Sequence, residues 1–153
     1  MAPLVTLVAV TLLARAAGHL GVAALRSWPA ATRAGLAAMF LLTASAHFTG
    51  MRTDLIRMVP PVVPNPALMV TLTGLCEIAG AFGLLLPRTR VAAAAGLILL
   101  MVAVLPANIH AANAGITLQG SPPTPLVPRV LLQVLFIAAV WWAGIRHGRT
   151  KPG

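Results

Sequence analysis

Residues 66–90 read PALMVTLTGLCEIAGAFGLLLPRTR, and the reading of this stretch decides the fold. Residues 67–86 are apolar apart from small hydroxyls and one acid. They are long enough to cross a bilayer, which takes about 20 residues. In the middle sits Glu77, one of only two acids in 153 residues. A carboxylate at membrane depth costs about 2.5–3.5 kcal/mol on insertion scales unless it is neutralised or paired. Another group must therefore receive it. The candidates are Thr73, one turn earlier, and a neighbouring helix.

The rest of the composition agrees with a lipid solvent. Hydrophobic residues make up 59% of the chain and charged residues 8%, and the mean hydropathy is +0.92. A soluble domain of this size could not bury so much apolar surface. The net charge of +9 would suggest nucleic acid in a soluble protein. Here the basic residues fall between apolar runs, and no basic cluster is interleaved with exposed aromatics. The charge is read as the positive-inside bias and contact with anionic headgroups, with no nucleic-acid partner. The lone cysteine, Cys76, excludes an intrachain disulfide and a CxxC pair. It is read as a small packing residue within the Glu77 span.

Outward from this stretch, the pattern predicts five spans. Residues 3–25 form the first, interrupted by Arg15 and His19 at i, i+4, which share a face expected to turn inward. The interrupting arginine and the missing basic leader argue against a signal peptide. Residues 34–48 form a short second span ending in His47. Residues 51–66 carry Arg52, Asp54 and Arg57 and then four prolines, which predicts a short interfacial amphipathic turn. The Glu77 span has small residues at Ala79 and Gly83, and the fourth span, residues 91–112, has Ala92 and Gly96. Both pairs have the spacing that lets helices approach closely. Pro106 predicts a kink in the fourth span, because it leaves the Val102 carbonyl without its helical donor. The proline-rich connection 115–128 is long enough to act as a lid over the bundle end. Residues 130–145 form the fifth span.

The arginines then set a topology. One side receives Arg26, Arg33, Arg88, Arg90, Arg146, Arg149 and Lys151. The other receives Arg52, Arg57 and Arg129. The first side is expected to be cytoplasmic, with the N-terminus outside, in the plasma (inner) membrane. Counting depth at about 1.5 Å per residue places His47, Asn108 and Gln133 in the outer half, with Glu77 as their floor. These four are the candidate ligand-binding residues. Arg15 and Arg129 are the candidate counter-charges. The residues show no metal-ligand spacing and no flavin, nucleotide or iron–sulfur motif.

Ala46-His47-Phe48, Met58-Val-Pro-Pro61, Leu72-Thr-Gly-Leu-Cys-Glu77, Gly83-Leu-Leu-Leu-Pro87-Arg-Thr-Arg90, Leu105-Pro-Ala-Asn108 and Arg129 with Gln133 occur in this order. Together they resemble the DoxX family of small integral membrane proteins. The resemblance implies an all-α membrane bundle with a four-helix core at residues 34–146. Residues 1–25 would be an additional N-terminal transmembrane helix, and residues 147–153 a basic cytoplasmic tail. It further implies a quinone-interacting subunit of a membrane oxidoreductase, with quinone as the ligand and a protein partner from a redox complex. No catalytic residue is assigned. Two other function classes remain open: a non-catalytic accessory or assembly protein, and a small proton-coupled transporter. The absence of an evident inverted repeat counts against the transporter.

Overall fold

The structure is a computed structural model and describes residues 1–118, 120 and 125–148. Most of these residues are helical. Helix α1 spans Ala2–His19, α2 Trp28–Ala46, α3 Arg52–Met58, α4 Pro66–Leu85, α5 Arg90–Ala103, α6 Leu105–Asn113 and α7 Leu126–Val140. A 3-10 turn, Ala23–Leu25, links α1 to α2, and α7 runs on into a π-helical turn, Trp141–Arg146.

Local chemistry sets the ends of these helices. Ser27 caps α2, its Oγ accepting from the Ala30 N–H at 3.3 Å. Asn65 enters α4 in the left-handed region at φ 52°, which asparagine tolerates better than most residues. Pro66 follows in the first turn of α4, where its missing N–H costs nothing. Pro106 has the effect the sequence predicts: α5 ends at Ala103 and α6 begins at Leu105, broken at Val104.

Among the described residues, four segments are long and apolar enough to cross a membrane: Ala2–His19, Pro66–Leu85, Arg90–Asn113 and Leu126–Arg146. The expected second span is different. Helix α2 has 19 residues but is not among the four. It is instead the helix most enclosed by protein, burying Ala31, Arg33, Gly35, Leu36, Ala37, Met39, Phe40 and Ala44. Helix α1 packs along one side of it and α4 along another, and the π-turn and α7 close the remainder. The physical reason lies in its composition. A helix carrying an arginine and three hydroxyls, at Thr32, Thr43 and Ser45, gains less from lipid contact than its neighbours, so burial against protein suits it best.

The core runs down the middle of the bundle, where Leu36, Ala81, Leu84, Ala94 and Val140 are fully enclosed. Helices α4 and α5 come close at Gly80 and Gly83. A Cβ at Gly80 would lie 2.5 Å from Leu97 Cδ2, and one at Gly83 would lie 2.6 Å from Ala93 Cβ. Of the expected small-residue pairs only Gly83 serves this contact. Ala79, Ala92 and Gly96 line an outward groove beside it. Cys76 lies there too and is exposed, which corrects its reading as a packing residue. Cys76 shares the face of Gly80 and Gly83 at i, i+4 and i+7 and lines the same groove between α4 and α5.

His19 is also exposed, contrary to the inward face expected for it. Helix α1 ends at that residue, so its ring sits at the helix end. Of the predicted lid, residues 119 and 121–124 lie outside the described residues, as do Arg149 and Lys151 of the predicted basic tail.

Candidate functional site: a polar cavity at one end of the bundle

Helices α2 and α4 run antiparallel, and each carries a threonine one turn before its ionisable residue. On α2 these are Thr43 and His47; on α4 they are Thr73 and Glu77. Residues four apart share a face, so the antiparallel packing sets each threonine beside the other helix's ionisable group. Thr43 Oγ1 donates to Glu77 Oε2 at 2.7 Å. Thr73 Oγ1 lies 3.2 Å from His47 Nδ1. Of the two partners expected for Glu77, Thr73 and a neighbouring helix, the neighbouring helix supplies the hydroxyl. The Thr73 hydroxyl turns back toward the Met69 and Val70 carbonyls, the usual habit of threonine inside a helix.

His47 is held from three directions. Its Nδ1 is 2.7 Å from the Val70 carbonyl. A carbonyl only accepts, so Nδ1 carries the hydrogen and Nε2 is the atom that faces Glu77. That nitrogen stands 3.8 Å from Glu77 Oε1, with the two side chains 13% and 17% exposed. The ring lies on Gly74, where a Cβ would come within 2.7 Å of His47 Cβ. Glycine is needed here for close approach. The third support is Arg52, whose Nη1 donates to the His47 carbonyl at 2.9 Å. Its Nη2 donates to the Ala67 carbonyl and to Thr71 Oγ1. Arg52 thus ties the end of α2 to the first turns of α4. Asp54 pairs with Arg57 at 3.6 Å.

The other predicted residues meet this pair across one cavity of about 520 Å³. His47, Glu77, Asn108, Arg129 and Gln133 all line it, together with Thr43. The rest of the wall is largely apolar, with Met39, Phe40, Leu55, Met58, Met101, Leu132 and Phe136 among its side chains. Gln133 donates through Nε2 to the Met101 carbonyl at 2.8 Å, one turn before the α5–α6 break. Arg129 Nη1 donates to Asn108 Oδ1 at 3.4 Å. Helix α3 lies over this end, and its Met58 packs with Ala111 and Ile116 in a small apolar cluster separate from the core.

Arg15 does not join the cluster. Its guanidinium stacks on the Trp28 ring at 5.0 Å, at the start of α2. Thr43 is fifteen residues further along, roughly 20 Å up the helix axis. The counter-charge role expected of Arg15 is therefore not met, since its side chain lies against Trp28 at the end of α2 remote from Thr43 and Glu77. Thr43 and Arg52 were the residues missed. Thr43 was legible as the partner of His47 at i, i+4. Arg52 carried no signal, since its acceptors are mostly backbone carbonyls.

Residues 36–144 match the family described as a domain of unknown function, DUF8561. The chain belongs to this family. The matched region runs from α2 into the π-turn and holds every residue of the cavity pair, while α1 precedes it. No curated protein and no solved structure matches the chain.

Proposed function

We propose that this DUF8561 protein is a DoxX-like subunit of a membrane oxidoreductase that binds a quinone in the cavity of His47 and Glu77. The observation that carries the reading is the make-up of that cavity. A space of about 520 Å³ has mainly apolar walls and a single acid–imidazole pair, with Thr43, Asn108 and Gln133 beside it. Ligand sites typically combine such walls with a few convergent polar groups. A quinone headgroup offers what this lining can use: a flat ring for Phe40 and Phe136, and two ring oxygens for polar side chains.

In this reading His47 and Glu77 exchange the two protons with the ring oxygens, and Thr43 orients the carboxyl. Reduction of a quinone to a quinol takes two electrons and two protons. The sequence shows no flavin, nucleotide or iron–sulfur motif, so in this reading the electrons come from a partner subunit. The arginine distribution places the cavity end on the outer side of the plasma membrane and the C-terminus in the cytoplasm. A second reading, a non-catalytic assembly protein, draws on Gln133 and Asn108. Both already have partners within the protein, as residues of a helix clamp would.

The test is purification in native lipid, followed by extraction and identification of bound quinone. Wild type retains quinone, whereas Glu77→Gln and His47→Ala lose it while keeping the wild-type melting midpoint. Wild type without quinone, with both variants destabilised, would leave the clamp reading standing.

A further inference from the structure

The end of the bundle remote from the cavity holds a different cluster. Arg33 in α2 and Arg90 at the start of α5 are each only 8% exposed. Each donates to one backbone carbonyl: Arg33 Nη1 to Ala143 at 2.8 Å and Arg90 Nε to Leu84 at 3.4 Å. Both carbonyls are orphans of helix ends. In the π-turn, the His147 N–H goes to Trp142 and the Gly148 N–H to Ile145, which leaves Ala143 for Arg33. Leu84 lies in the last turn of α4. The two acceptor segments touch, since a Cβ at Gly144 would lie 3.2 Å from Leu84 Cδ2. The carbonyls that hold the two guanidiniums thus belong to segments in contact, which brings both side chains to one end of the bundle.

Among the described residues no acid answers them. The chain has two; Glu77 is engaged with Thr43 and His47, and Asp54 with Arg57. A guanidinium has five N–H donors. Beyond one carbonyl each, neither side chain leaves a nitrogen that is both buried and unpartnered, so the remaining donors open to the surface, where an anion can take them and offset the repulsion of two like charges.

We propose that Arg33 and Arg90 form a binding site for a phosphate group, supplied in the membrane by the headgroup of an anionic phospholipid. Phosphate oxygens accept paired N–H bonds from two guanidiniums at once. The position suits a headgroup. Trp28, half-exposed at the start of α2, marks the interface level that tryptophan favours. Arg26, Arg88 and Arg146 are exposed around the same end and draw anionic lipid toward it. The site is independent of the quinone reading, being at the other end of α2.

The full chain is reconstituted in nanodiscs of phosphatidylcholine alone and of phosphatidylcholine with phosphatidylglycerol. Its melting midpoint and the lipid it retains on gentle detergent extraction are then measured by native mass spectrometry. The expected result is a higher midpoint with phosphatidylglycerol and one tightly retained phosphatidylglycerol per chain. Retention falls about tenfold in Arg33→Gln and Arg90→Gln, the loss of a charge-assisted contact, and is unchanged in Arg57→Gln, an exposed arginine at the cavity end. Inorganic phosphate added to phosphatidylcholine discs separates the sources: a rise in midpoint there, without selective lipid retention, assigns the same site to a free anion. Equal midpoints and equal retention for the unaltered chain in all three conditions would overturn the proposal, whether or not the variants fold.

Discussion

The two ends of α2 are built from opposite materials. At its C-terminal end an acid, an imidazole and neutral donors surround a cavity of about 520 Å³. At its N-terminal end two arginines are sunk into protein and bound to helix-end carbonyls. In the first, polar groups face a space a molecule can enter. In the second, they face backbone. The same helix thus carries a site with a mixed set of charges at one end and a cationic clamp at the other, separated by Leu36, Met39 and Phe40 of the core.

The strongest way to break this contrast is to remove what joins the ends. Leu36 is fully buried between them, and Leu36→Ala should cost about 2–5 kcal/mol. Both ends should fail together, seen as loss of a cooperative melting transition and of quinone retention. Gly74→Ala should act on one end only. The new methyl meets His47 Cβ at 2.7 Å and Phe48 Cε2 at 2.9 Å, an overpacking of about 1–3 kcal/mol. Quinone retention should drop while retention of phosphatidylglycerol at the arginine end stays at the wild-type level; equal losses at both ends would show that the ends are coupled.

A smaller effect is expected from Gln133→Leu. It removes the bond to the Met101 carbonyl, worth about 0.5–1.5 kcal/mol, and should speed amide hydrogen exchange around the α5–α6 break without altering α2. The smallest is Asp54→Asn. Its partner Arg57 is 59% exposed, so the loss should stay within about 0–1 kcal/mol. A melting midpoint shifted well beyond that range would assign Asp54 a part in holding α3 over the cavity.

Much of the cavity could be read from residue order. Depth along each span placed His47, Asn108, Gln133 and Glu77 at one level, and they do line one cavity. Depth is legible because rise per residue is nearly constant in a helix. Azimuth is not, and it decides partners. It gave Glu77 to Thr43 and not to Thr73, and gave Arg15 to Trp28. It also faced Gly80 and Gly83, rather than Ala92 and Gly96, into the α4–α5 contact.

By itself the sequence determined that the chain is helical and apolar enough for a membrane. It also determined that Pro106 interrupts a span and that a buried acid needs company. Those follow from composition, from the missing proline N–H and from the cost of placing charge in lipid. Only the tertiary structure decided that α2 lies inside the bundle. It alone paired the Thr43–His47 face with the Thr73–Glu77 face and drew Arg33 and Arg90 to one spot. These are matters of which helix neighbours which and of how each is rotated, and packing fixes both at once across segments far apart in the chain.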